Sequence, residues 1–243
     1  MFNSKEKPVI EFISTIPGLS EIEDIQPKPS NNFIPEWWKN MPFDLDMDKE
    51  RYRFNSGIVK QCPAFPDLFS SGYILPMWAD TTLYFDKDTG EYSWKCGAQN
   101  SPFEINIFEQ DKFINHTDYS YKNKIANIIF QFVNPWYIRM PKGYSVFQLP
   151  LFYHQTEKYD ILPGTYDGHN AITNKLEVAY FADKEEIFIK KGTPLVQYIP
   201  YKKENFDINI RDQNQNDLKN IDMDILKRML QFKGWYAQNR NRG

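Results

Sequence analysis

Short strand-type runs separated by turn residues recur along this chain, some of them alternating apolar and polar with a period of two. Phe103-Glu104-Ile105-Asn106-Ile107 is the clearest run, with its apolar side chains on one face. The pattern predicts strands at 8–14, 56–60, 72–78, 81–86, 91–96, 103–108 and 126–132. It continues at 136–140, 144–149, 158–162, 176–182, 186–189 and 195–200. Asp86-Lys87-Asp88-Thr89-Gly90 falls between two of these runs and reads as a hairpin. Acidic turn formers are followed by a glycine where positive φ is needed. Strands at this density favour a sandwich or barrel over βαβ units.

Two segments break the alternation. Residues 16–42 are punctuated by Pro17-Gly18, Pro27-Lys28-Pro29 and Pro35-Glu36-Trp37-Trp38-Lys39-Asn40-Met41-Pro42. Proline removes amide donors and biases the preceding residue away from helix, so an extended arm is predicted, anchored by Trp37 and Trp38. Near the other end, residues 217–232 place Leu218, Ile221, Ile225, Met229 and Phe232 at helical spacing. A polar lead-in at 212–216 offers caps, and Gly234 a stop. The predicted organisation is a Pro/Trp-rich strand and arm over 1–55, a β body over 56–210, and a helix with a basic tail over 211–243.

Composition adds limits. At 243 residues and 41% hydrophobic, the chain can bury a core, and its 16% aromatic share supplies large area per residue. A net charge of −3 gives no bulk attraction to nucleic acid or acidic lipid. Cys62 and Cys96 have no metal-type spacing, which fits a reducing compartment. The first residues carry charges where a signal peptide needs an apolar core, and no apolar run reaches membrane-span length. The expectation is a soluble, unsecreted protein with no transmembrane segment.

Candidate chemistry is sparse. There is no glycine-rich phosphate loop, no GxSxG, no HExxH and no Cys/His zinc pattern. Asp167 and His169 would share a face if their segment is a strand, and His154 could join them in a cupin-type metal site. Gly164-Thr165-Tyr166-Asp167 reads as a turn carrying an acid. Lys190-Lys191-Gly192 reads as a second turn before the strand that holds Gln197.

These last two pieces resemble late motifs of the trimeric dUTPase and dCTP-deaminase superfamily. The family has a "G-x-I-D" turn followed about 25 residues on by a "kkGdriaQl" strand. Here Gly164-Thr165-Tyr166-Asp167 and Lys190-Lys191-Gly192-Thr193-Pro194-Leu195-Val196-Gln197 stand in those places, and Met140-Pro141-Lys142-Gly143-Tyr144 resembles the "P-x-G-y" turn upstream. The resemblance covers 134–201. It implies a dUTPase-like β-clip or jelly-roll barrel, a homotrimer, Asp167 as the catalytic, water-orienting carboxylate, and Gln197 and Gly164 at a nucleotide phosphate, with magnesium if hydrolysis occurs. The family's Arg-Ser-Gly motif should fall near 149–155, where this chain has Leu149-Pro150-Leu151-Phe152-Tyr153-His154-Gln155. Lys142, Lys158 or Lys190 could replace the lost arginine. The aromatic expected three residues after the acid is Asn170. A degenerate, non-enzymatic member is therefore the first expectation, a nucleotide enzyme with a rebuilt phosphate site the second, and a cupin-type oxygenase a remote third. The whole chain also resembles a bacteriophage family without assigned activity, through segments such as Cys62–Trp78 and Gly192–Glu204. That likeness implies an accessory or virion-associated protein in host cytoplasm or virion, with other virion proteins as partners.

Overall fold

The computed structural model describes residues 7–41, 60, 62, 64–98, 101–109, 128–154, 158–167, 175–181, 184–220 and 223. The chain divides into two compact units, one of residues 1–33 and 72–203, the other of 34–71 and 204–243.

The first unit is built of antiparallel strands. In chain order they are β1 (Glu11–Ser14), β2 (Lys28–Pro29), β3 (Tyr73–Pro76), β4 (Thr81–Phe85), β5 (Tyr92–Cys96), β6 (Ile105–Glu109) and β7 (Ile128–Val133). Then follow β8 (Trp136–Arg139), β9 (Tyr144–Leu149), β10 (Tyr159–Ile161), β11 (Gly164–Tyr166), β12 (Lys175–Tyr180), β13 (Ile187–Ile189) and β14 (Pro194–Lys202). They form a five-stranded sheet β11-β9-β14-β3-β2, a four-stranded sheet β10-β12-β7-β6, a three-stranded sheet β13-β4-β5 and the pair β1-β8. The mainly β class read from the alternation is what the chain adopts. No ring of strands closes among the described residues.

One core draws on all four sheets, including Leu75, Leu83, Phe130, Trp136, Val146, Val178 and Tyr198. Period-2 burial is plain in β4, where Thr81, Leu83 and Phe85 are buried and Thr82 and Tyr84 half-buried. The β4–β5 hairpin turns as its sequence predicts. Asp86 Oδ1 accepts the Asp88 and Thr89 amides at 2.8 and 3.3 Å, and Gly90 takes φ +72°. Burial works against the Asp86 carboxylate, but those amides and Lys184 outweigh it and hold its pKa below the ordinary value.

A hydrogen-bonded chain crosses this core. Asn134 Nδ2 donates to the Tyr198 hydroxyl at 3.3 Å, which donates to Gln148 Oε1 at 3.4 Å. Gln148 Nε2 in turn donates to the Leu162 carbonyl at 3.2 Å, and Asn134 Oδ1 accepts the Trp136 amide at 3.0 Å. Burial pushes the Tyr198 hydroxyl well above its ordinary pKa, so it stays protonated and can donate. Tyr198→Phe orphans one donor and one acceptor in a dry site. The expected loss is about 1–3 kcal/mol in urea unfolding, and a loss under a few tenths would show that these polar groups find other partners.

The second unit corrects the proline-based reading. Residues 36–40 were expected to be extended, yet Glu36–Asn40 forms a short helix, α1, with Pro35 at its N-cap. A second helix, α2 (Ala64–Phe69), carries Pro66 in its first turn. Proline is tolerated there because a first-turn amide has no helical acceptor. Trp38 is buried, stacked on Phe65 at 5.1 Å and edge-on to Phe69 at 5.1 Å. Lys60 is also buried and donates to the carbonyls of Lys39, at 3.2 Å, and Met41 at the end of α1. The predicted strand at 56–60 otherwise lies outside the described residues. Of the C-terminal helix, residues 215–220 and Met223 are helical. Asn214 Oδ1 caps it by accepting the Asn216 and Asp217 amides at 2.9 and 3.1 Å. The rest of that helix lies outside the described residues.

Candidate functional site

The predicted site residues separate along β14. At its C-terminal end Lys203 Nζ donates to Asp167 Oδ2 at 2.7 Å, an exposed ion pair. Lys142 is exposed at the same end, in the turn whose Gly143 carbonyl accepts the Lys203 amide at 2.8 Å. Lys190 lies before the other end. The ten residues from Thr193 to Lys203 span roughly 30 Å at strand rise, so Asp167 and Lys190 do not converge within one chain.

Gln197 sits between them. The family resemblance placed it at a nucleotide phosphate. It is buried, and its Nε2 donates to Ser30 Oγ at 3.4 Å. Alternation misleads here because Leu195 to Tyr198 are all buried, so both faces of β14 are covered. Gly164 is not a turn glycine but the first residue of β11, opposite Gln148 on β9. The corner is Leu162-Pro163, where the chain leaves the four-stranded sheet for the five-stranded one.

For the metal reading, His154 is half-buried, and burial lowers its pKa. His169 lies outside the described residues, and no cluster of metal-ligating side chains occurs among those described. Lys158 pairs with Glu185.

What does assemble is a cleft of about 900 Å³ lined by Asp24, Lys28, Asn32, Phe33, Asp80, Lys190, Lys191, Gly192 and Thr193. Its floor is a fixed turn. Gly192 takes φ +84° and donates to the Met77 carbonyl at 2.8 Å, and the Met77 amide returns to the Thr193 carbonyl at 2.7 Å. The Lys191 amide donates to Asp80 Oδ1 at 2.7 Å. The amides of Lys191, Gly192 and Thr193 are thus committed, so the turn meets an anion through its side chains. Lys190 and Lys191 are exposed and form no ion pair among the described residues. Lys28 reaches the cleft on β2, which joins the sheet beside β3, and its ammonium lies 3.6 Å from Glu23. A smaller hollow of about 510 Å³ adjoins it, sharing Asp80 and Lys191 and including Trp78, Thr82, Lys95 and Phe188.

Such a cleft is suited to charge-assisted hydrogen bonds with phosphoryl oxygens, with the Asn32 amide and Thr193 hydroxyl as further donors. Half-buried Phe33 offers a ring for stacking a base. Sequence reading found Lys190 and missed Lys28, Lys191, Asn32 and Phe33, although Lys191 is visible in the Lys-Lys-Gly turn. No protein-family model matches the chain, and no curated protein does.

Among the described residues no helix is long and apolar enough to cross a membrane.

Proposed function

We propose that this protein is an oligomeric binding protein that holds a nucleotide or other phosphate-rich ligand in the Lys28–Lys190–Lys191 cleft without turning it over. The carrying observation is the convergence of three lysines on one cleft while Asp167, the carboxylate that the family resemblance assigns to water activation, is paired with Lys203 at the far end of β14. Commitment of the Gln197 amide to Ser30 supports the same reading. The resemblance over 134–201 further suggests a degenerate dUTPase-like β-clip body and a homotrimer. The whole-chain likeness suggests a bacteriophage accessory or virion-associated setting.

Calorimetric titration with dUTP, dCTP and inorganic triphosphate, each with and without magnesium, tests this. Saturable binding that weakens at least tenfold in Lys190→Ala/Lys191→Ala and falls with added salt is expected, because exposed lysine–phosphate pairs are screened. Release of nucleoside monophosphate would instead establish an enzyme. Binding unchanged in the double variant would move the ligand elsewhere.

A further inference from the structure

Residues 204–210 follow the last strand and belong to no helix or sheet, with every residue exposed. Phe206, Ile208 and Ile210 are 82%, 87% and 92% exposed and alternate with Asp207 and Asn209. Period-2 alternation with β-branched residues is the pattern of a strand with one buried face. This segment has the pattern and no sheet. Three large apolar side chains in a row are left in water, where burial of each would be favourable.

The three-stranded sheet offers a matching edge. Its order is β13-β4-β5, so β5 is unpaired on one side among the described residues. The Glu91 carbonyl and Gly97 amide both bond toward β4. By antiparallel alternation the backbone groups of Tyr92 and Trp94 therefore point to the open edge. Tyr92 and Trp94 are stacked at 5.9 Å, yet 50% and 42% exposed. They lie on the same face as Leu83 and Phe85 of β4, which are buried. The apolar face of this sheet thus runs on past its last strand.

We propose that residues 206–210 of one copy add as an antiparallel strand to the β5 edge of a second copy. Setting Asp207 opposite Lys95 fixes the rest of the register. Ile208 then faces Trp94, Asn209 faces Ser93, Ile210 faces Tyr92, and Arg211, paired with Asp217 in the single copy, falls opposite Glu91. Every apolar residue meets an apolar one, and both charged pairs are of opposite sign. Cross-strand aromatic and β-branched pairs and opposite charges are the stabilising units of a sheet, and strand addition to an open edge supplies the backbone bonds. Lys95 forms no ion pair among the described residues. The arm of each copy meets a different surface on another copy, so the assembly closes by reciprocal exchange or around a ring when the rotation between copies allows it. The inference extends the oligomeric part of the proposed function and is independent of its ligand.

Size-exclusion chromatography with light scattering on the full chain tests it. The wild type is expected as a closed oligomer, and Ile208→Asp/Ile210→Asp as a folded monomer, since those side chains are almost wholly exposed in the single copy. Lys95→Asp and Asp207→Lys alone should each raise the dissociation constant at least tenfold, and the two together should restore it. An oligomer that survives Ile208→Asp/Ile210→Asp overturns the arm while leaving the oligomeric reading standing. A monomeric wild type at tens of micromolar overturns both. Absence of rescue in the charge-reversed pair overturns the register.

Discussion

Replacing Gly72 with alanine is expected to remove most of the protein's stability. Gly72 precedes β3 and takes φ +68°. A Cβ there would lie 2.0 Å from the Tyr198 carbonyl oxygen and 2.9 Å from its carbon. Tyr198 belongs to β14, which is hydrogen-bonded to β3 on one side and β9 on the other. Its carbonyl cannot retreat without opening one of those ladders. The Gly72 carbonyl also accepts the Ser30 amide at 3.1 Å, which holds the approach from the other side. Gly18 supplies the control. It has φ +78° and nothing within 4 Å of a built Cβ, so Gly18→Ala meets only the left-handed backbone strain, about 1–2 kcal/mol. Gly72→Ala should exceed that by more than about 4 kcal/mol, a large share of a typical stability of about 5–15 kcal/mol. Soluble yield and thermal melting of the two variants decide it. Melting of Gly72→Ala within a few degrees of Gly18→Ala would show that β3 and β14 do not approach this closely.

Period-2 alternation made strands such as β4, β8 and β13 legible, because one face of each meets the core. It fails where that condition fails. β11 was read as a turn because Leu162-Pro163-Gly164-Thr165 has turn chemistry. Its pairing with β9 is a consequence of the sheet switch at Pro163. Helices α1 and α2 were hidden by prolines that occupy permitted capping and first-turn positions. Gln197 was unreadable because β14 is covered on both faces over Leu195 to Tyr198.

The cleft shows the same division between local and distant information. Lys190-Lys191-Gly192 was visible as a turn, and Gly192 has the positive φ a turn glycine takes. Nothing local, however, tells that Lys28 and Phe33 come to the same place. That follows from β2 pairing with β3, more than forty residues away in the chain, with β3 lying beside β14. The motif-based site failed for a related reason. Asp167 and Gln197 stand in the family's order, but order along the chain does not tell that both faces of β14 are covered at Gln197. The Ser30 contact that takes up the Gln197 amide comes from a segment the motif does not include.

Phe130→Ala is expected to cost about 3–5 kcal/mol, the range for deleting a buried aromatic ring. Phe130 is at 0% exposure on β7, opposite Val178 of β12 and Ile107 of β6. Its ring meets that of Tyr180 edge-on at 5.6 Å. Tyr180 cannot swing in to fill the space, because its hydroxyl donates to the Glu185 carbonyl and is held there. The void therefore stays largely open, which places the cost toward the upper end. Phe147→Ala is the matched contrast. Phe147 stacks on Tyr201 at 4.3 Å but is 40% exposed, on the opposite face of β9 from the core residue Val146. Losing that stacked pair should cost about 0.5–1.5 kcal/mol. Urea unfolding separates the two through the midpoint, with the slope m unchanged in both because the surface exposed on unfolding is nearly the same. If Phe147→Ala were the more costly change, the core would lie on the other side of the five-stranded sheet. The Phe147–Tyr201 stack would then be buried.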